Sequence, residues 1–184
     1  MTRHECIEQI LNEMDLFFIK DEDELFFIPN VRGINGTWNC IVYIEKNNVV
    51  VCSICDIQAK TENKKKITEY LARINYDLTF SRWDIELDDQ GIITYKTFIH
   101  IPDGVKEETV NLIMGALFMI NFQNFDTYFP GIAAINHGFI SPRTAIKKIK
   151  KELIKEKELE EKELTDSAKQ DLELLLQSLS ISKK

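Results

Sequence analysis

KKKITEYLARINYDL (64–78), RWDIELDDQGIITYKTFIHI (82–101) and VNLIMGALFMINFQNF (110–125) succeed one another along the chain, and their reading decides the fold. In the first, Ile67, Leu71, Ile74 and Leu78 recur at helical spacing, which predicts a helix over about Glu62–Asp77 with one apolar stripe. In the second, Trp83, Ile85 and Leu87 alternate with Asp84, Glu86 and Asp88, the period of a half-buried strand. Asp88-Asp89-Gln90-Gly91 has turn composition, with glycine where positive φ is needed. A strand over Ile92–Ile101 completes the hairpin. The third stretch predicts a helix over about Lys106–Phe125 that ends at the proline downstream. It is apolar around nearly its whole circumference, so burial on more than one side is expected.

Working outward, Ile7, Ile10, Leu11 and Met14 give an amphipathic helix over about Arg3–Met14. A short strand is expected at Leu25–Ile28, closed by Pro29, and a turn-rich link runs through Gly33 and Gly36. Trp38, Cys40, Val42 and Ile44 alternate with Asn39, Ile41, Tyr43 and Glu45 in a strand over Thr37–Glu45. Asn47-Asn48 is read as a tight turn into a β-branched strand, Val49–Ile54. The order is α-βββ-α-ββ-α, an α+β domain with a five-stranded, mainly antiparallel sheet and helices packed on it.

Beyond residue 145 the character changes. Ser141-Pro142 reads as a helix start, KEKELEEKE (155–163) is charged throughout, and Thr165 reads as a cap before Leu172, Leu175, Leu176 and Leu179. Residues 1–145 are therefore read as one domain and 146–184 as a charged, amphipathic helical tail.

The 184 residues are 44% hydrophobic and 29% charged, a balance that suits a globular protein. The net charge is −7. Residues 1–141 carry the acidic excess and residues 142–184 a slight basic one, so the globule repels phosphate backbones and no nucleic-acid partner is expected. No apolar run is long enough to insert into a bilayer. Charge at the start of the chain, where a secretory segment needs apolar residues, and four cysteines read as thiols point to the cytoplasm.

Candidate chemistry is sparse. Cys52-Ser-Ile-Cys55 has no second pair to complete a zinc site and ends a strand rather than opening a helix, so small buried hydrophobes explain it. His4, His100 and His137 have no partners at ligand or nucleophile spacing. Asp84, Glu86, Asp88 and Asp89 fail the spacing of a calcium loop. Lys64-Lys65-Lys66 stands at a helix N-terminus, where the dipole disfavours cations. No catalytic residue, metal or cofactor is assigned, and the chain is expected not to be an enzyme.

Four features carry a resemblance: Trp38 opening its strand after a glycine-rich turn, ITEYLARINYDL (67–78), WDIELDDQGIITYKTFI (83–99) and LFMINFQNFDTYFPGIAAINHG (117–138). In order and loop position, residues 3–145 resemble the bacterial YbjN family, which is similar in fold to class I type III secretion chaperones. The resemblance implies a small, often dimeric protein that handles other proteins through sheet and helix surfaces. A non-catalytic, chaperone-like or regulatory protein-binding module is expected, which captures a segment of a partner by strand addition or groove packing. Trp38, Tyr43, Phe98, Met114 and Phe118 are its candidate anchors. The alternative is an immunity or antitoxin protein whose acidic face occludes one toxin.

Overall fold

A computed structural model describes residues 2–22, 25–155, 157–159 and 162. The expected tail features from Thr165 to Leu179 lie outside the described residues. The chain divides into two compact units, residues 1–146 and 147–184. In the second unit, residues 147–155 are helical.

The first unit is α+β. Helix α1 (Arg3–Glu13) opens with a capping box: the Glu5 N–H donates to the Thr2 hydroxyl and the Thr2 N–H to the Glu5 carboxylate. Strands β1 (Ile19–Lys20), β2 (Phe26–Arg32), β3 (Thr37–Glu45) and β4 (Asn48–Ile54) follow. A single 3-10 turn (Thr61–Asn63) leads into α2 (Lys64–Asn75). Then come β5 (Ser81–Ile85), β6 (Ile93–His100) and α3 (Glu107–Asn136). The sheet is antiparallel throughout, with order β1-β2-β3-β4-β6-β5. It has six strands rather than five, because the two-residue β1, too short to show a period, pairs with Phe26 and Phe27.

The helices cover one face of the sheet. Alternation aims Phe26, Ile28, Trp38, Cys40, Val42, Val49, Val51, Trp83, Ile93 and Tyr95 at them, all buried. Phe125 of α3 lies among Trp38, Trp83 and Phe129, with ring centroids 4.6, 5.2 and 5.8 Å away. Burying an aromatic of this size stabilises by about 1.5–3 kcal/mol.

Other expectations about element limits are corrected too. Strand β2 continues past Pro29, because the pairing register shifts between Ile28 and Val31, with Asn30 at φ 56°, a bulge that accommodates the proline. The hairpin after β3 turns on Lys46 and Asn47, Lys46 taking φ 59°, while Asn48 already pairs with Glu45. Helix α3 does not stop at its proline: it runs through Pro130 to Asn136. Pro130 has no N–H for the Asp126 carbonyl one turn back. Asn35 Nδ2 donates to that oxygen instead (3.1 Å), and Tyr70 donates its hydroxyl proton to the nearby Tyr128 carbonyl (2.9 Å).

Nor is α3 buried all round. Val110, Met114, Leu117, Phe118, Asn121 and Phe125 face inward, whereas Leu112, Ala116, Met119 and Ile120 are exposed. Among the described residues, no helix is long and apolar enough to cross a membrane.

Asparagine side chains wire the elements together. Asn121, fully buried on α3, donates to the Val51 carbonyl (3.0 Å) and the Thr97 hydroxyl (3.1 Å). It accepts from the Ser53 hydroxyl, whose oxygen accepts from Trp38 Nε1 (2.9 Å). Asn136 closes the helix end against the Gln58 carbonyl and the Lys60 N–H, imitating a strand pair.

Candidate functional site

Because register partners share a face, the pairing also defines what the other face of the sheet presents. One row crosses all six strands: Ile19, Phe27, Ile41, Cys52, Lys96 and Arg82. The next row holds Tyr43, Val50 and Phe98, extended by Phe80, whose carbonyl accepts from the Phe98 N–H (3.2 Å). The open face of an antiparallel sheet is ordinarily polar. Here its middle is apolar and aromatic. Ile19, Phe80 and Phe98 are exposed, Phe27, Ile41 and Tyr43 half-buried, and Val50 and Cys52 buried.

A depression of about 300 Å³ lies among Tyr43, Val50, Phe98, Arg82 and Lys96, rimmed by Glu45 and Asn48. Arg82 Nε is 3.0 Å and Lys96 Nζ 3.7 Å from the same Asp84 oxygen, so two cations share one carboxylate. Burial pushes the Tyr43 phenol and the Cys52 thiol above their ordinary pKa values, so both are neutral at physiological pH. The surface can therefore offer apolar contact, a phenol donor and cationic hydrogen-bond donors.

The sheet edges are less available. At β5, the outward-facing N–H and carbonyl of Trp83 are held by the Asn75 amide (2.7 and 2.8 Å), which fills the position an added strand would take. At the opposite side, β1 is two residues long and β2 carries Pro29 and the Asn30 bulge, both devices that blunt strand pairing. The open face is thus less obstructed than either edge.

Of the five anchors read from sequence, Tyr43 and Phe98 come together in this depression. Trp38, Met114 and Phe118 do not join them: they lie in the core at 3, 0 and 0% exposure, on the helix side of the sheet or within α3. Their bulk serves packing, and a partner cannot touch them while the fold is intact. Phe80, Ile19, Arg82 and Lys96 escaped the sequence reading. Only the strand register places them in the same rows as Tyr43 and Phe98.

A larger cavity of about 650 Å³ opens at the end of the sheet, between α1, the Lys46 turn and the loop before α3. Its lining mixes Arg3, His4 and Lys46 with Asp103 and Glu107, so no single ligand charge is favoured. Arg3 is engaged with Asn47, the Ile101 carbonyl and Asp103. Cys6, also lining it, has its thiol pKa raised, by burial first and by the Glu107 charge second. Among the described residues no group of three His, Cys, Asp or Glu is placed to hold a metal.

No protein-family model matches the chain, and no curated protein does. Among solved structures, YbjN from E. coli, a proposed transcription regulator, superposes with a TM-score of 0.50 at 11% identity, over 68% of this chain and 92% of that one. The fold is YbjN-like. At that identity the likeness concerns architecture.

Proposed function

We propose that this protein is a non-catalytic protein-binding module that holds a segment of a partner on the open face of its sheet. The observation that carries the reading is the pair of apolar rows, Ile19–Phe27–Ile41–Cys52 and Tyr43–Val50–Phe98–Phe80, on a face that water would otherwise keep polar. Phe98 and Tyr43 act as anchors, and Arg82 and Lys96 at one end select a segment that brings a carboxylate beside its apolar residues. Docking is by face packing rather than strand addition, since Asn75 occupies the β5 edge. A regulator of this kind works by sequestering or positioning a protein. The acidic net charge of −7 disfavours direct contact with nucleic acid. The toxin-immunity alternative calls for a carboxylate-rich face, whereas this depression sets Arg82 and Lys96 against Asp84 and Glu45.

The test is affinity purification from the native host with three baits: the wild-type chain, Phe98→Asp, and Met119→Asp on the exposed side of α3. The reading expects one stoichiometric partner with the wild type and with Met119→Asp, and its loss with Phe98→Asp. A peptide from that partner with its carboxylates replaced by amides should bind more weakly. Equal recovery by all three baits contradicts the reading. Light scattering on the purified chain separates the competing occupant, a second copy, which would make Phe98→Asp alone convert a dimer to a monomer.

A further inference from the structure

Asn35-Gly36 stands in an exposed turn that clasps α3 at its proline. The Asp126 carboxylate accepts from the Ile34 N–H (2.9 Å) and the Asn35 N–H (2.8 Å). The Asn35 amide in turn donates to the Asp126 carbonyl (3.1 Å), the one Pro130 leaves without its helical donor, and to the carboxylate (3.3 Å). The turn is closed by the Gly33 N–H on the Gly36 carbonyl (2.9 Å). Both residues of the pair serve this arrangement. A Cβ at position 36 would come within 2.8 Å of the Phe129 ring, so glycine is favoured, and the Asn35 amide supplies the donor the orphaned carbonyl needs.

An asparagine followed by glycine is also the pair most open to attack by its own backbone, because glycine puts no side chain in the way. We propose that Asn35 is a site of spontaneous deamidation, gated by the Asp126 clasp, and that its conversion loosens the hold on α3 at Pro130. In the step, the Gly36 backbone nitrogen gives up its proton to hydroxide and bonds to Asn35 Cγ. The Cγ–Nδ2 bond breaks and the nitrogen takes a proton from water, which regenerates hydroxide, and leaves as ammonia. Water then opens the succinimide at either carbonyl, giving aspartate or isoaspartate. No oxidant or reductant is involved. While Asn35 Nδ2 is bonded to Asp126, Cγ is held by its partners and the attack waits on opening of the turn. The product inverts the chemistry of the clasp. An aspartate at 35 is an acceptor with no proton to give, so the Asp126 carbonyl loses its donor and two carboxylates face each other. Isoaspartate further lengthens the backbone between Ile34 and Gly36, the segment whose N–H groups hold Asp126.

The experiment is peptide mass mapping of the full chain during incubation at mildly alkaline pH, folded and in urea, for wild type, Asp126→Ala and Asn35→Gln. In urea, exchange of NH2 for OH is expected first at Asn35, ahead of the other asparagines, and it should vanish in Asn35→Gln. In the folded protein the same change should be slower, and Asp126→Ala should speed it roughly tenfold or more, since one charge-assisted hydrogen bond is of that order. Hydrogen exchange at the Ile34 and Asn35 amides of the wild type measures the same opening without a variant. The native deamidation rate should equal the urea rate multiplied by that open fraction, even if Asp126→Ala fails to fold. No preference for Asn35 in urea overturns the site, and equal rates folded and unfolded overturn the gate. Asn35→Asp, which mimics one product, should raise exchange at Ile34 above wild type, and unchanged exchange overturns the proposed consequence.

Discussion

Replacing Asn121 by alanine should be among the most damaging single changes in this domain, although it removes only a few atoms. The side chain is fully buried and joins α3 to the sheet through Val51, Thr97 and Ser53, with Trp38 one bond further on. Three hydrogen bonds contribute about 1 kcal/mol each, and partners left unmet in the interior add about 1–3 kcal/mol, so a loss of about 4–6 kcal/mol is expected. That is a large share of the ~5–15 kcal/mol by which a domain is ordinarily stable. At roughly 2–4 °C per kcal/mol for a chain of this size, Tm should fall by about 8–24 °C. Urea denaturation followed by tryptophan fluorescence measures it, with Trp38 reporting from inside the network. A double-mutant cycle with Ser53→Ala should show coupling of about 1–2 kcal/mol, because Ser53 and Asn121 serve one another. An Asn121→Ala variant within about 1 kcal/mol of wild type, or additive with Ser53→Ala, would refute the idea that this network pins the helix.

Three further outcomes follow from the same structure. Asn75→Ala strips two hydrogen bonds from the Trp83 backbone and opens the β5 edge, so it should cost about 2 kcal/mol in urea denaturation and raise aggregation on standing. Burial raises the Cys40 and Cys55 thiols above their ordinary range, Cys55 to about 12, so the native thiols stay protonated where the unfolded chain begins to ionise. Stability should hold below pH ~8.5 and fall as pH rises from there toward the native values, and Cys55→Ala should flatten that slope in urea midpoints measured at mildly and strongly alkaline pH. Gly131→Ala should destabilise by about 1–3 kcal/mol, because a methyl there meets the Tyr70 hydroxyl, and Tyr70→Phe should relieve part of that loss in a thermal melt.

Where hydrophobic period and pairing agree, the fold was legible. The alternation in 37–45 and the stripes of α1 and α2 state which residues face the core, and Ile7, Ile10, Leu11, Trp38, Cys40, Val42, Ile67, Leu71 and Ile74 are buried there; in 83–87 only Trp83 is, since β5 ends at Ile85 and Leu87 is exposed. What was not legible depends on partners far away in sequence. Pro130 reads as a stop because the donor that replaces its missing N–H sits on Asn35, in a turn before β3. Asn121, Asn75 and Asn136 look like polar interruptions until the backbone groups they bond are known.

The candidate surface was half legible for a related reason. Large apolar side chains have the same composition in a core and in a binding face, so Met114 and Phe118 could not be told from Phe98 by type. Strand parity did hold the information for one pair. Trp38 and Tyr43 are an odd number of positions apart in one strand, so they point to opposite faces, and only Tyr43 reaches the open one. Adding Phe80, Arg82 and Lys96 to that face required the cross-strand register, which no single strand encodes.

The most direct test of the account is covalent footprinting of the chain in the native-host complex against the purified chain. Protection at Tyr43, Phe80, Phe98 and Ile19, with Leu112 and Met119 labelled equally in both, is the predicted result. Unchanged labelling of the sheet face, or protection on the α3 side instead, would contradict the claim that the open face is the binding surface.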